Sequence, residues 1–287
     1  MAMRTWLTEG LDPVQAYALL AGGVGPRPIA LASTCDPEGR RNLAPFSFFN
    51  AFGSRPPMVA FAPSRARDGS LKHTSRNTVA TGECVIAAVS WAMAQQMNVT
   101  SAEYPDGVDE FAKSGFTPLP AGVVRPALVA ESPFQMECRL EREVDLGSGP
   151  GSGLLLICRV LAFHVREDVW TEGGLDPERL DLVGRHGGAY YVRSSGPALF
   201  RLPRAVGQPM GYDALPQALR RSAILTGNDL GQLASAEAPP DPAAIRRRPQ
   251  YPGDAPGLER AVQRALAAGD RDEAWRLAAL RVRLEGA

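Results

Sequence analysis

The residues best suited to bind a charged ligand are Lys72 and Thr74, which stand where the sequence predicts the start of a helix. A helix N-terminus presents unpaired backbone N–H groups, and an ammonium and a hydroxyl beside it make a receptor for phosphate. Ser64 and Arg65 follow the preceding predicted strand and would close the same pocket. A solvated lysine next to an ordinary helix cap is the alternative.

A second candidate site is the aromatic segment NLAPFSFFN, residues 42–50. It is predicted to form a strand in which Pro45 interrupts regular pairing, because proline has no backbone N–H. Backbone N–H and C=O groups nearby would then be free to bind the polar edge of a flat aromatic ligand. Phe46, Phe48 or Phe49 would supply an apolar wall. A core strand with alternating aromatic side chains is the alternative.

Other chemistry has less support in the sequence. The three histidines, His73, His164 and His186, accompany no nucleophile signature such as GxSxG, so a hydrolase triad is not indicated. His164 lies in an apolar run and is interpreted as a hydrogen-bonded core or edge residue. No metal site is expected.

The four cysteines, Cys35, Cys84, Cys138 and Cys158, are scattered without a CxxC pair. Neither a disulfide framework nor a zinc site is therefore indicated, and we expect free, mostly buried thiols.

The glycine-rich stretch GSGPGSG, residues 147–153, resembles a nucleotide-binding loop only superficially. A dinucleotide fingerprint needs a helix after its glycines, so that the helix N-terminus meets the pyrophosphate. Here a second strand is predicted to follow. The stretch is therefore interpreted as a hairpin loop.

Short apolar runs separated by turns predict the elements that position these residues. Residues 26–63 read as an antiparallel meander in which 42–52 is one strand. A helix capped by Thr74 and ended by Gly82 precedes a buried strand at 83–90. Residues 91–102 are helical in composition, and the Pro-rich stretch 103–133 reads as an irregular surface excursion. The segments 134–146 and 154–165 predict two long paired strands, the first with Glu137 on its outward face.

Composition limits the classes of function. Lys plus Arg (31) equals Asp plus Glu (31), so the net charge is zero and nucleic acid is not an expected partner. Glycine (29) and proline (25) make up about a fifth of the 287 residues, which favours a β-rich body over a helical bundle. The longest apolar run, 154–165, is interrupted by Arg159 and is too short to span a bilayer. No membrane association is expected, and a cytoplasmic location is.

The composition changes after Leu202, and two domains are predicted, at 1–205 and 206–287. The second is expected to be mostly helical with a Pro-rich linker. Its last part resembles a helical hairpin with two apolar stripes, formed by Leu258, Val262 and Leu266 and by Leu277, Leu280 and Leu284. Their spacing suggests packing on a partner surface.

Several separated pieces of the first domain resemble, in order, the flavin reductase-like proteins of the FMN-binding split-barrel class, in particular the flavoredoxin-type branch. They are PRPIALAST (26–34), Asp36 and Gly39, NLAPFSFFNAF (42–52), PPMVAF (56–61), Lys72-His73-Thr74 and Asn77. The resemblance covers roughly residues 20–200. It implies a β-rich α+β fold, a split β-barrel of the FMN-binding type with flanking helices, to which this chain adds a C-terminal helical extension. It also implies a homodimer with FMN close to the subunit interface.

The resemblance also implies the residues that hold FMN. They are Arg27, Ser33, Thr34, Asn42, Ala44, Pro45, Phe46, Ser47, Phe48, Asn50, Ser64, Arg65, Lys72, Thr74 and Asn77. Arg27, stiffly placed between two prolines, would reach the ribityl chain or phosphate, or else form a surface salt bridge. The chain departs from the family pattern at His73, where Asp is usual, and at Cys84 and Ala87.

Residues 184–191, GRHGGAYY, resemble the glycine-rich RxGGxxY segment of this branch. His186 is the candidate catalytic residue, to orient nicotinamide or a substrate carbonyl, with an ordinary exposed loop histidine as the alternative.

The function implied is an FMN-dependent oxidoreductase that uses NADH or NADPH to reduce flavin or a small acceptor. Because flavin performs the redox chemistry, no strong protein acid or base is required. Two alternatives remain open. One is a flavoprotein of the same fold that does not use nicotinamide, as an electron carrier or a specialised small-molecule enzyme. The other is a nonenzymatic binding or assembly protein.

Overall fold

A computed structural model describes residues 3–202, 207–238, 245 and 248–285. The chain divides into two compact units, Met1–Phe200 and Arg201–Ala287. The predicted boundary at 205/206 and part of the Pro-rich linker lie outside the described residues.

The described strands all belong to the first unit. They are β1 (Ala30–Cys35), β2 (Arg41–Phe46), β3 (Phe49–Ser54), β4 (Pro57–Phe61), β5 (Glu83–Ala88), β6 (Pro118–Leu119), β7 (Leu128–Val129), β8 (Phe134–Asp145), β9 (Leu154–Val165), β10 (Trp170–Thr171), β11 (Gly174–Leu175), β12 (Val183–Arg185) and β13 (Tyr191–Arg193). Its helices are α1 (Pro13–Gly23), α2 (His73–Thr81), α3 (Ala94–Val99), α4 (Glu110–Ser114) and α5 (Pro177–Leu180).

Seven of these strands form one antiparallel sheet in the order β2-β1-β5-β8-β9-β4-β3. The two edge strands, β2 and β3, are consecutive in the chain and separated only by Ser47 and Phe48. The sheet must therefore curl until its edges approach each other, and Phe46 of β2 contacts Phe61 of β4 with ring centroids 5.8 Å apart. This is the predicted split barrel, and the seam lies between β2 and β3.

The segment 42–52 was expected to be one strand of a meander, and this expectation is wrong. The chain turns after Phe46, so β2 pairs with β1 whereas β3 pairs with β4 at the opposite edge. The prediction missed the turn because Ser47 and Phe48 continue the apolar alternation of the strands on either side.

The barrel interior is filled by apolar side chains, from Ala30 and Ala32 to Phe61. Cys84, Cys138 and Cys158 lie in it, fully buried and free, and Cys35 is also buried and free, as predicted. The hairpin of β8 and β9 encloses 147–153, which confirms that this glycine-rich stretch is a hairpin loop. Among the described residues, no helix has the length and apolarity needed to cross a membrane.

The excursion between β5 and β8 is fixed to the sheet by buried polar side chains of β8. The carboxylate of Glu137 accepts hydrogen bonds from the N–H groups of Gly122 (2.9 Å), Val123 (2.6 Å) and Val124 (2.9 Å). His164 on β9 lies 2.7 Å from the same carboxylate. Glu137 is therefore fully buried, which corrects the outward position predicted from strand alternation.

The second unit contains four described helices, α6 (Gln217–Arg220), α7 (Gly227–Ala234), α8 (Ala255–Ala267) and α9 (Arg271–Arg283). The stripes of α8 and α9 were expected to pack on a partner surface. They are instead buried in the unit's own core, where Leu258, Val262, Leu277 and Leu280 cluster with side chains of α6 and α7. Leu284, just beyond α9, is 39% exposed. The stripes thus give no support for a dimer.

Candidate functional site

A cavity of about 290 Å³ lies between the edge strand β2, the start of α2 and the segment 100–110. Its lining combines polar side chains with apolar wall. The residues are Asn42, Ala44, Pro45, Phe46, Ala66, Ser70, Leu71, Lys72, His73, Thr74, Arg76, Thr100, Ser101, Ala102, Glu103, Tyr104, Asp106 and Glu110. We call it the β2 cavity. It brings together the two segments that the sequence singled out, the aromatic strand and the helix start.

One wall of the β2 cavity is the free edge of β2. The N–H of Leu43 points away from β1 and donates to the carboxylate of Glu110 at 3.0 Å. Pro45, two residues on, faces the same way and has no N–H. This edge therefore offers a ligand backbone carbonyls but no amide donor at either position.

This arrangement corrects the role expected for Pro45. Pro45 stays in register opposite Leu31 and does not interrupt the pairing of β1 with β2. Because its missing N–H faces outward, proline here costs the sheet no hydrogen bond.

Behind the cavity lies a network of buried polar side chains. The amide nitrogen of Asn42 donates to the hydroxyls of Thr74 (2.9 Å) and Thr34 (3.2 Å). Asn77 donates to Thr34 at 3.2 Å. The network ties α2 to β1 and β2, so Thr34 and Asn77 position Asn42 and Thr74 without lining the cavity.

The start of α2 forms the cationic part of the cavity. Lys72, not Thr74, occupies the N-cap position, and no side chain caps the helix, which corrects the predicted cap. The first N–H groups of α2 therefore lack a capping side chain, directly beside the Lys72 ammonium. The hydroxyl of Thr74 accepts from Asn42 and thus keeps its own proton for a ligand or another acceptor.

Acidic side chains of the 103–106 segment face these cations. The Lys72 ammonium lies 3.7 Å from Glu103, and Nε2 of His73 lies 2.7 Å from Asp106. Arg76 also binds Asp106, and this hydrogen bond lowers the pKa of the Asp106 carboxyl below its ordinary value. Both carboxylates are highly exposed, so the ion pairs of Lys72 with Glu103 and of Arg76 with Asp106 are of the weak surface kind.

The donor set suits a phosphate joined to a flat, polar-edged ring. Lys72 and the uncapped start of α2 fit the phosphate, while Phe46 and the carbonyl edge of β2 fit a ring with one hydrogen-bond donor. The chemistry of the residues present is therefore that required for FMN.

Arg27 lies outside the β2 cavity, and its hydrogen bonds are structural. Its buried guanidinium donates to the carbonyls of Ala21 (2.6 Å), Val24 and His186 (3.2 Å), and to the Ser47 hydroxyl at 3.3 Å. It thus connects the end of α1 to the glycine-rich segment 184–191, through His186. Each guanidinium nitrogen therefore already donates to a protein acceptor, and the group is not available for bidentate binding of a phosphate.

Four further candidates lie outside the β2 cavity. Phe48 contacts the Arg27 guanidinium, 5.6 Å from the ring centroid. Asn50 lines a second, more apolar cavity, and Ser33 is buried with no hydrogen-bond partner for its hydroxyl among the described residues. Ser64 pairs through its backbone with Gly153.

Arg65 is held by the hairpin loop and not by the cavity. Its guanidinium donates to the carbonyls of Gly147 (3.1 Å) and Gly69 (3.2 Å) and to Asp145 at 3.0 Å. The structure therefore does not bring Ser64 and Arg65 to the pocket they were expected to close.

His186 packs against the end of α1. Its backbone N–H donates to Tyr190 at 2.9 Å, and a Cβ added at Gly25 would lie 2.8 Å from its Nδ1. It is absent from the lining of the β2 cavity. Within one chain, the structure thus separates His186 from the candidate FMN residues that line the β2 cavity, although it contacts Arg27.

The residues that sequence reasoning missed are Glu110 and the 100–106 segment. Residues 100–102 were interpreted as the end of a helical segment, and residues 103–110 as part of an irregular surface excursion. Asp109, whose side chain caps α4 by accepting from Phe111 at 2.9 Å, was the available signal of a helix there. No local pattern shows that this helix faces β2.

Comparison with known proteins places these features in a family. Residues 23–182 match the family model described as the flavin reductase like domain. A protein of Halalkalibacterium halodurans is 36% identical over 185 residues, which are 64% of this chain and 88% of that protein.

Two solved structures are also similar. Nitrilotriacetate monooxygenase component B from Bacillus cereus is 32% identical with a TM-score of 0.66, over 70% of this chain and 100% of that one. The 2-nitrobenzoate 2-nitroreductase of Pseudomonas fluorescens is 27% identical with a TM-score of 0.61, over 71% and 99%. A role in flavin-related oxidoreduction is supported by these relatives. The chain belongs to the flavin reductase like family.

Proposed function

We propose that the protein binds FMN in the β2 cavity and is an oxidoreductase that uses NADH or NADPH to reduce flavin or a small acceptor. The observation that carries the proposal is the meeting, in one cavity, of the cationic start of α2 with the aromatic edge strand β2. FMN, when bound, would supply the ring that accepts and passes on a hydride.

The residues of the cavity divide the binding between them. Lys72 and the first N–H groups of α2 would hold the phosphate, and the Thr74 hydroxyl would donate to it. Phe46 and Ala44 would exclude water from one side of the ring. Asn42, held by Thr34 and Thr74, keeps this wall in place.

The use of nicotinamide is tested by anaerobic reduction of the FMN-loaded protein. We expect NADH or NADPH to bleach the visible absorbance of the bound flavin, because the family relatives include a monooxygenase component and a nitroreductase. Dithionite serves as a positive control. Bleaching by dithionite but by neither nucleotide would favour the alternative of an electron carrier that does not use nicotinamide.

A homodimer is also proposed, now on grounds other than the C-terminal stripes. Helix α1 carries no charged residue, and only Ala21 of its side chains is buried. Val14 (74%), Tyr17 (53%) and Leu20 (58%) are exposed. A surface this apolar is typical of a protein interface.

The second cavity adds to that face. It has a volume of about 510 Å³ and a largely apolar lining that includes Met58, Phe134 and Phe163. Arg27, which binds the end of α1, also lines it. A second copy of the chain would cover α1 and the mouth of this cavity together.

Light scattering tests the dimer. We expect twice the chain mass of 30.7 kDa for the native protein, and a shift toward the single-chain mass for Leu20→Asp, because a carboxylate would then face an apolar interface. Circular dichroism should be unchanged in the variant, since Leu20 is exposed in one chain. A native protein of 30.7 kDa would contradict the proposal. The cytoplasmic location stays a prediction from the sequence.

A further inference from the structure

Glu110 is the buried carboxyl group of the β2 cavity. It is the first residue of α4, only 4% exposed, and its carboxylate accepts the outward N–H of Leu43 at 3.0 Å. The two other acidic side chains that line the cavity differ sharply, since Glu103 is 71% exposed and Asp106 is 73% exposed.

The surroundings of Glu110 leave its charge only partly compensated. In the described part of the chain, no Lys, Arg or His lies within 4.0 Å of its carboxylate. His73 faces it from α2, and Asp109, the N-cap residue of α4, directly precedes it. Arg41 of β2, the cation on that side, is bound to Asp109 at 3.3 Å.

The remaining charged groups of the cavity are paired with each other. Lys72 lies beside Glu103, and Arg76 binds Asp106. Burial raises the pKa of the Glu110 carboxyl, and the hydrogen bond from Leu43 opposes this rise without cancelling it. Glu110 is therefore the carboxyl group of the cavity that is costliest to keep ionised.

We propose that Glu110 is the redox-linked proton acceptor of the FMN site, binding one proton when the bound flavin is reduced. The inference rests on the proposed function. A dihydronicotinamide would lose a hydride from its C–H bond and be oxidised, and the bound flavin would take up that hydride, be reduced and gain one negative charge. An oxygen of the Glu110 carboxylate then forms one O–H bond with a proton from solvent, and no other bond of the protein changes.

The physical reason is the repulsion of like charges in a shared, partly desolvated cavity. A second negative charge near a buried carboxylate favours its protonated form. Glu103 and Asp106 face solvent and pair with the cations Lys72 and Arg76, so a negative charge on the flavin favours their protonation less. A neutral Glu110 can still accept the Leu43 N–H through its carbonyl oxygen.

The test compares the native protein with Glu110→Gln, and with Glu103→Gln as the matched control. The amide keeps the size of the side chain and an acceptor for Leu43, but it cannot take up a proton. The midpoint potential of bound FMN is measured against pH by spectroelectrochemistry, with dithionite as reductant. The slope gives the number of protons bound per two electrons.

We expect a pH window in which the native protein and Glu103→Gln bind two protons per two electrons and Glu110→Gln binds one. Above this window the midpoint potential of Glu110→Gln should be higher than that of the native protein. The variant lacks the negative charge of the Glu110 carboxylate, which opposes reduction of the flavin. Below it the potentials should converge, because the native carboxyl is then protonated in both redox states.

Equal slopes for the native protein and Glu110→Gln, with FMN bound to both, would overturn this inference and leave the proposed function intact. A native protein that binds no FMN would overturn both. A readout independent of FMN is ¹³C NMR of the Glu110 carboxyl in the ligand-free protein. If the Glu110 carboxyl titrates in this experiment with a pKa at or below that of an ordinary exposed glutamate, the inference is also overturned.

Discussion

Replacing Lys72 by alanine is expected to weaken FMN binding by about one to two decades and to change riboflavin binding little. A charge-assisted hydrogen bond to phosphate contributes on the order of 1.5 to 3 kcal/mol. Riboflavin lacks the phosphate, so it loses nothing when the ammonium is removed. Isothermal titration of both ligands measures the effect, and the diagnostic quantity is the selectivity for FMN over riboflavin.

The chain offers a matched control for this experiment. Lys113 is the only other lysine, and it is exposed on α4. It is absent from the lining of the β2 cavity, so Lys113→Ala should leave both affinities unchanged. Equal losses for FMN and riboflavin in Lys72→Ala would show that Lys72 supports the fold or the ring site. The phosphate would then have to bind elsewhere.

The second large effect is expected on stability, from Glu137→Gln. The native carboxylate satisfies three backbone N–H groups and His164, and its side chain is fully buried. The NH2 group of glutamine cannot accept a hydrogen bond. In the variant it would face at least one of those backbone N–H groups, which would then lose its acceptor. We expect a loss of about 3 kcal/mol in the free energy of unfolding. Glu143→Gln, on the exposed part of the same strand, should change it by less than about 0.5 kcal/mol.

Urea unfolding followed by circular dichroism measures this loss, because all the described strands belong to the first unit. Tryptophan fluorescence would report mainly on the second unit, since Trp275 is the buried tryptophan and Trp6, Trp91 and Trp170 are exposed. A Glu137→Gln protein as stable as the native one would mean that the excursion does not depend on this carboxylate.

The stability lost in Glu137→Gln is also expected to depend on pH. Burial alone would raise the pKa of Glu137, but the hydrogen bonds from Gly122, His164, Val123 and Val124 outweigh it and lower the pKa below the ordinary value. The stabilisation is therefore complete above the unfolded value of about 4.3 and is lost as pH falls through the lower folded value. The difference in stability between the native protein and Glu137→Gln should be constant near neutral pH and shrink in acid.

The parts of the fold that follow from local pattern were predictable. The prediction of β9 matches its bounds, and the helix ended by Gly82 occurs, with Gly82 in the left-handed conformation (φ 72°) that favours glycine. The turn at Ser47 and Phe48 was not predictable in this way, because both neighbours alternate like a continuous strand.

The candidate site was predictable only where its residues are close in sequence. Lys72 and Thr74 on α2, and Asn42, Ala44, Pro45 and Phe46 on β2, do meet in one cavity. Arg65 was misplaced because the loop that binds it, around Gly147, is about eighty residues away. Glu137 was misplaced for a related reason, since strand alternation cannot show that the excursion folds back over the sheet.

The role of Glu110 was also not predictable, because its partner is distant in the sequence. Its hydrogen bond to Leu43 joins residues 67 positions apart, and nothing in the sequence around either residue indicates it. The bond exists because β2 is an edge strand with an unpaired N–H, which is a property of the strand order. Only the folded sheet reveals that this edge requires a partner.

Binding of FMN to this chain is measured by retention of the cofactor. Protein mixed with excess FMN is passed over a desalting column, and the ratio of bound flavin to protein is read from the absorbance spectrum. We expect close to one FMN per chain, with its fluorescence quenched. Protein that elutes without flavin would contradict it.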